Sequence, residues 1–565
     1  MNCKLRNTAR LTCLVVMAAV LSPSASTAAE KTLPNTQPLT ITQPLDEFMI
    51  DGLDRFCLRE LAASPARREK MWNRDFSSTE AYEKSIAPNR ERFREYIGAV
   101  DQRLTNAPGL NDSFEFLQTF SHPSSVAGSA KVKAHRVRWQ VLEGVTAEGL
   151  LLIPETAKAA VVALPDADWT PEAFCGLVGE LPKSAQLPWR LANEGCLVVV
   201  PMLISRSNEF SGSPYVSYTN QTHREFIYRQ AFEMGRHVIG YEVQKTLAAI
   251  DLLERWKEQT ESDVPTGVAG IGEGSLLALY TSAIDPRVDA TMVCGYFGLR
   301  EGVWEEPIYR NVWGLLTEFG DAELAGMIAP RSLIIEACRV PESAGPPTAA
   351  AGRRGGAAPG KVETVTLGSV RAEFDRATAI YVKLKAAENC QLHSSGEGDG
   401  SAGTQAAIRA FAAELGIKAE FPLTGPALAP VEGANFDEAF FTDRQRRQID
   451  ELQRHVQDLM RLSPKVRDKV WAKGDRSSVE KWEATSASLR DWTYDELIGR
   501  LPEMNLPMNA KSRLVLDEPE YLGYEITLDC YRDVVAGGIL LLPKDLKPGE
   551  KRPVVVCQHG LEGTP

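Results

Sequence analysis

Apolar residues along this chain fall into two rhythms. Val137, Trp139 and Val141 alternate with polar neighbours, the spacing of a half-buried strand. Residues 150–153, 161–164 and 197–201 are short, continuous apolar runs, and the mostly apolar runs 291–294 and 333–336 add further strands. Such runs suit strands covered on both faces. Between the third and fourth runs, Tyr241, Val243, Leu247, Ile250, Leu253 and Trp256 fall on one side of a long helix. Strands alternating with helices predict a mainly parallel sheet with helices on both faces. Residues 343–360 (Gly, Ala and Pro rich, with Arg353 and Arg354) and 394–403 (Ser and Gly rich) read as exposed flexible loops.

Further on, Thr442 and Asp443 can cap a helix bearing Ile449, Leu452, Val456, Leu459 and Met460 at spacings of three and four, and Pro464 is expected to close it. This stretch also opens an internal duplication. Ser64-Pro65 through Met71-Trp72 matches Ser463-Pro464 through Val470-Trp471. Tyr96-Ile97-Gly98 matches Leu497-Ile498-Gly499, and Gly149 through Pro154 matches Gly538 through Pro543. Val161-Val162-Ala163 matches Val555-Val556-Cys557. Four matches in constant order predict a tandem repeat of one large unit. The expected division is a leader over 1–29, a first unit over 30–430 and the start of a second, incomplete unit over 431–565.

The leader has its own pattern. Lys4, Arg6 and Arg10 precede an apolar run over 11–21, and Ser26-Thr27-Ala28-Ala29 follows, as in a secretory signal peptide. Export to a periplasmic or extracellular location is expected, with no stable membrane span once the leader is removed. The chain carries 63 Lys and Arg against 75 Asp and Glu, a net charge of −12. An acidic exported protein without a basic stripe is a poor nucleic-acid binder. Of the 10 cysteines, eight lie beyond the leader, widely spaced and without a C-x-x-C pair. They read as buried thiols, Cys196, Cys294, Cys338 and Cys557 lying in or beside apolar runs.

The chemistry turns on Gly270-Ile271-Gly272-Glu273-Gly274, which has the flanking glycines of a G-x-S-x-G nucleophile elbow but glycine at its apex. With the repeat, these glycines, the segment Asn220 through His237, and Ile328-Ala329-Pro330-Arg331 leading into a strand, the chain resembles α/β-hydrolases of the dienelactone hydrolase or acetyl xylan esterase-like kind. The resemblance implies serine-mediated hydrolysis of carboxylic esters, acetylated polysaccharide among them, with no cofactor and no metal.

The first unit lacks the parts that the resemblance calls for. The nucleophile position is Gly272. Behind the strand ending at Glu336 stands Ala337 through Glu342, with Glu342 as the one acidic candidate. His393 comes too early for the catalytic histidine, and the oxyanion loop reads Leu164-Pro165-Asp166, where proline has no amide hydrogen. Three residues nearby carry reactive side chains. Ser275 is expected to bond within the helix start, Glu273 to sit structurally at a helix N-terminus, and Cys294 to be inert in an apolar strand. His223 and His237, with Arg224, Arg229 and Arg236, read either as a pocket for an anionic or sugar ligand or as a structural cluster held by Glu225, Glu233 and Glu242.

The second unit is different: Arg552 through Cys557 followed by Gln558-His559-Gly560-Leu561 resembles a first core strand and oxyanion loop, with His559, Gly560 and Leu561 as its candidates. The expectation is an esterase-type protein whose first unit is a pseudoenzyme. The rival expectation is a noncatalytic scaffold binding carbohydrate or a partner.

Overall fold

A computed structural model describes residues 32–106, 112–120, 122–211, 220–349, 351–423, 427–504, 506–560 and 563. The expected leader and Leu561 lie outside the described residues. The chain divides into two compact units, one over 61–494 and one formed by residues up to Glu60 together with those from Asp495.

The large unit is built on one sheet. Its strands are β1 (Ser125–Gly128), β2 (Val132–Leu142), β3 (Val145–Pro154), β4 (Ala159–Leu164), β5 (Cys196–Pro201), β6 (Thr266–Ile271), β7 (Ala290–Cys294), β8 (Ser332–Ala337) and β9 (Cys390–Ser394). They lie in the order β9-β8-β7-β6-β4-β5-β3-β2-β1. From β5 to β9 every pairing is parallel, and β3 joins antiparallel to β5. The apolar runs occupy the centre because both faces are covered: every residue of β4, β5, β6, β7 and β8 is buried.

Helices α1 (Thr79–Tyr96), α2 (Leu187–Asn193), α3 (His223–Phe232), α4 (Val238–Thr260), α5 (Glu273–Ile284), α6 (Asp321–Ile328), α7 (Leu367–Lys383) and α8 (Gln405–Glu414) surround this sheet. Apolar side chains of α1, α4, α5, α6 and α7 share one core with Val162, Val199 and Val268, whereas those of α2 and α8 share the other with Val161, Val198 and Ala269. Alternate residues of one strand thus feed opposite cores. The expected doubly covered, mainly parallel sheet is what the chain forms.

Several expectations need correction. The helix expected to start at Thr442 and stop before Pro464 is α9 (Glu438–Trp471), which runs through that proline. Proline removes the amide that would serve the carbonyl four residues back. The Ser463 hydroxyl donates to that carbonyl, Met460 O, at 2.8 Å, so the helix continues. α9 buries Ile449, Leu452 and Val456 in the large unit's core, and α10 (Val479–Trp492) follows it within that unit. Compactness therefore divides the chain at Glu60/Leu61 and Tyr494/Asp495, not at 430/431. The two supposed flexible loops are anchored. Gly356, Ala357 and Ala358 amides donate to Asn220 and Glu225, and Gly403 donates to Glu336 Oε2 at 2.7 Å. Backbone donors there find carboxylate and amide oxygens, which fixes the path of the chain. Cys196, Cys294 and Cys338 are buried free thiols, but Cys557 is exposed.

In the small unit, Gln37–Pro38 pairs with β10 (Lys511–Asp517), followed by β11 (Tyr521–Tyr531) and β12 (Val534–Pro543) in an antiparallel meander. Helix Leu45–Ala62 packs on it, its Gly52 set so close to Asp533 O that a Cβ would lie 2.1 Å away. The expected core strand over 552–557 is not a strand. Val554, Val555 and Val556 are 84%, 80% and 89% exposed, and β12 pairs only with β11 among the described residues. An apolar run without ladder neighbours on either side has nothing to hold it extended. His559 and Gly560 are likewise exposed and irregular.

The matched segments share local geometry. Ser78 caps α1 by accepting from Ala81 N, and Ser478 caps α10 by accepting from Lys481 N. Asp75 Oδ1 accepts from Ser77 N and Asp475 Oδ1 from Ser477 N, while the Asp75 and Asp475 amides donate to Ser85 and Thr485. Hairpin β2–β3 breaks register between Gln140 and Leu142 and hairpin β11–β12 between Asp529 and Tyr531, positions of equal spacing from their turns. Where the sequence match slips by one residue before Gly499, the backbone is π-helical over Thr493–Gly499, which accommodates one extra residue.

Candidate functional site

β6 ends at Ile271, and the chain reverses at Gly272 into α5 at the carboxyl end of the sheet. Gly272 holds φ +59° and ψ −119°, a conformation that glycine takes without steric cost. A Cβ on Gly270 would lie 2.1 Å from Gly274 O, and one on Gly274 would lie 2.2 Å from Leu164 O. The two flanking glycines therefore let the strand, the helix and the end of β4 pass one another. The Gly272 amide donates to Cys294 O at 3.0 Å and ties the apex to β7.

Where a serine nucleophile sits on a sharp strand-to-helix turn, the amide of the next residue points at the developing oxyanion. Here that amide belongs to Glu273, and it donates to Asp166 Oδ2 at 3.0 Å. Asp166 follows Pro165 in the turn after β4, so the chain's own carboxylate sits on the donor that an oxyanion would need. A Cβ on Gly272 would lie 2.4 Å from the same Oδ2, so the place of a nucleophile's side chain is filled as well.

A buried charge network holds this plug. Arg206 Nη1 donates to Asp166 Oδ1 at 2.6 Å and Nη2 to Asp166 Oδ2 at 3.1 Å, while Nε meets the Tyr309 hydroxyl. Glu273 accepts from Arg224 Nη2 at 3.0 Å, Arg206 Nη2 at 3.1 Å, and Arg310 Nε and Nη2 at 3.0 and 2.8 Å. Arg224 also forks onto Glu242 at 2.9 and 2.8 Å. Asp166, Glu242 and Glu273 thus face three guanidiniums, and all six side chains are buried. Burial alone would raise the Glu273 carboxyl, but Arg310, Arg224 and Arg206 outweigh it and hold it well below the usual carboxylate range. Glu273 is an ionised structural acceptor with no proton to lend.

The remaining candidates are committed elsewhere. The Ser275 hydroxyl lies 2.7 Å from Gly270 O and 2.6 Å from Cys294 O and accepts from Cys294 N at 2.8 Å, so it stitches α5 to β6 and β7 rather than bonding along its helix. Burial pushes the Cys294 thiol well above its ordinary range. His223 accepts from Phe210 N at Nε2 and meets Ser205 Oγ at Nδ1. His237 accepts from Ile239 N at Nδ1 and faces Asn311 O with Nε2. Burial lowers each of these two imidazoles to about 4. Among their neighbours, Arg224 pairs with Glu242 and Arg229 with Glu225, but Arg236 pairs with Asp101, not Glu233. Glu342 is exposed and accepts from Thr364 N, and His393 lies in β9 opposite Glu336. The sequence reading missed Arg206, Tyr309 and Arg310 altogether and took Asp166 only as part of a missing amide; Pro165-Asp166 at the end of a core strand was its single available sign.

Beside the plug, a cleft of about 270 Å³ opens at the carboxyl ends of β4 and β5. Asp168, Trp169, Ser205, Phe210, His223 and Phe441 line it, with Glu209 and Glu438. No helix among the described residues is long and apolar enough to cross a membrane.

No family model and no curated protein matches the chain. Solved structures do. A Bacteroides fragilis protein assigned as an acetyl xylan esterase is 14% identical, with a TM-score of 0.40 over 56% of this chain and 76% of its own. A methylesterase is 14% identical at a TM-score of 0.38, covering 65% of this chain and 70% of its own. A carbohydrate esterase family 15 glucuronoyl esterase from Caldicellulosiruptor kristjansonii is 12% identical at a TM-score of 0.33, covering 64% and 93%.

Proposed function

We propose that this is an exported, tandemly duplicated protein of α/β-hydrolase type whose large unit no longer hydrolyses esters and instead holds a ligand. The observation that carries the reading is the Asp166 carboxylate on the Glu273 amide, beneath an apex that is glycine. Nucleophile, oxyanion donor and base are the three parts that an acyl transfer needs. The first is missing, the second is occupied, and the nearby histidines have both ring nitrogens engaged. The shared caps, bulges and offsets of the matched segments support the duplication, and the basic start with its apolar run supports export. In the second copy, ester chemistry on substrates such as acetylated polysaccharide would need an elbow serine, an acid and a histidine beside the His559-Gly560 oxyanion-loop sequence.

The cleft beside the plug favours a neutral carbohydrate as the ligand. Its rings, Trp169, Phe210 and Phe441, offer flat apolar faces, and the carboxylates of Asp168, Glu209 and Glu438 offer acceptors for hydroxyl groups. The test is an ester assay on the chain over 30–565. Release of p-nitrophenol from its acetate ester should not exceed the buffer rate. Turnover that disappears on Ser275→Ala or Glu273→Gln would sink the noncatalytic reading.

A further inference from the structure

Ser205 and His223 stand together in the cleft, with Ser205 Oγ 3.0 Å from His223 Nδ1. A hydroxyl at that distance from an imidazole has the outward geometry of a nucleophile beside its base. The other ring nitrogen decides otherwise. The Phe210 amide donates to His223 Nε2 at 2.9 Å, so Nε2 carries a lone pair and no proton. A neutral imidazole has one N–H, which therefore sits on Nδ1. Burial acts in the same direction and lowers this imidazole to about 4. The Nδ1–H donates to Ser205 Oγ, and no lone pair faces the serine to take its proton.

Both partners are held in place. Phe210 stacks on the imidazole, with ring centroids 5.3 Å apart and planes 6° from parallel. Turning the ring over would break the bonds at both nitrogens. Ser205 is fixed through its backbone, since Gln445 of α9 accepts from Ser205 N at 2.6 Å and donates to Leu203 O at 3.2 Å. Having accepted from the imidazole, the Ser205 hydroxyl keeps one hydrogen to give. Among the described residues nothing accepts that hydrogen, and the side chain lines the cleft.

We infer that Ser205 is a ligand-binding residue of this cleft, an oriented donor whose hydrogen goes to an ether or carbonyl oxygen of a neutral glycoside. The Phe210 amide and the His223 Nδ1–H fix its direction from behind, and each bond in such a chain polarises the next. The carboxylates of Asp168, Glu209 and Glu438 complement it as acceptors for the hydroxyls of the same ligand. The inference rests on the carbohydrate reading of the cleft. It gives the Ser205–His223 pair a recognition role in which the imidazole donates to the serine instead of activating it.

The probe is xylotetraose, a neutral oligosaccharide, titrated calorimetrically into the full chain, with the His223 ring nitrogens read by nitrogen-15 NMR. Nδ1 should be the protonated nitrogen at neutral pH. Ser205→Ala should weaken xylotetraose binding about tenfold, the loss of one hydrogen bond. Ser205→Thr, which keeps the hydroxyl, should bind within about threefold of the parent. The inference is overturned, and the carbohydrate reading left standing, by a proton on Nε2, by Ser205→Ala binding as tightly as the parent, or by Ser205→Thr binding as weakly as Ser205→Ala. A parent chain that does not bind xylotetraose overturns both.

Discussion

Glu273→Gln removes one negative charge from the centre of the buried network while keeping size and shape. The side chain now accepts four hydrogen bonds from Arg206, Arg224 and Arg310. Breaking a buried ion pair by removing one partner costs about 3–5 kcal/mol. Arg206 keeps Asp166, Arg224 keeps Glu242 and Arg310 keeps Glu306, so the lower end, about 3 kcal/mol, is expected. The pH dependence gives a second handle. The carboxyl is held well below its ordinary value of 4.5 in the folded state. Its contribution is therefore fully present above 4.5 and is lost as pH falls from there towards the folded value. Between pH 7 and pH 3 the stability gap between parent and variant should narrow by roughly 2 kcal/mol, at 1.36 kcal/mol per pH unit below 4.5. Urea unfolding monitored at both pH values measures it. A variant as stable as the parent at pH 7, or a gap that stays the same at pH 3, would refute the charge-lock account of this site.

Other outcomes follow from the same geometry. Gly272→Ser should not create an esterase: the serine Cβ meets Asp166 Oδ2, and the positive φ costs a non-glycine residue about 1–3 kcal/mol, which thermal unfolding will show as a lowered midpoint without ester turnover. His237 is buried and neutral with its value lowered from 6.5 to about 4, so its contribution to stability is present above 6.5 and is lost as pH falls to 4. His237→Asn, which can still cap α4, should flatten the fall in stability across that window by as much as about 3 kcal/mol, and an unchanged acid limb would show that the imidazole does not titrate there.

The sheet was legible because its strands are buried on both faces, and burial on both faces writes itself as unbroken apolar runs at 150–153, 161–164 and 197–201. The elbow was legible for a related reason: Gly270 and Gly274 stand where backbones pass within van der Waals reach, and nothing but glycine fits. What the sequence hid is long-range charge pairing. Asp166, Arg206, Glu273 and Arg310 are distant along the chain and carry no periodic signature, so only the folded turn after β4 reveals that a carboxylate occupies the elbow amide. Pro464 misled for a local reason. The rule that proline ends a helix assumes an orphaned carbonyl, and Ser463 supplies the missing donor. The run at 552–557 misled in the opposite way, since an apolar segment states what it could pair with and not whether a partner strand is present.

The small unit joins residues that are far apart in the chain: Leu33 donates to the Ser512 hydroxyl across 479 positions, and Arg59 reaches Asp533. During synthesis, helix Leu45–Ala62 leaves the ribosome long before β10, β11 and β12 exist. Until they emerge, Met49 and Phe56 lack the Gly537 and Tyr531 surfaces on which they pack, while the segment 61–494 can already complete its own sheet. Folding is therefore ordered by the chain path, with the large unit as the early domain and the small unit as a late closure. For the whole of that interval the first helix is the stretch most in need of protection from misassociation, and a destabilised large unit would lengthen the wait.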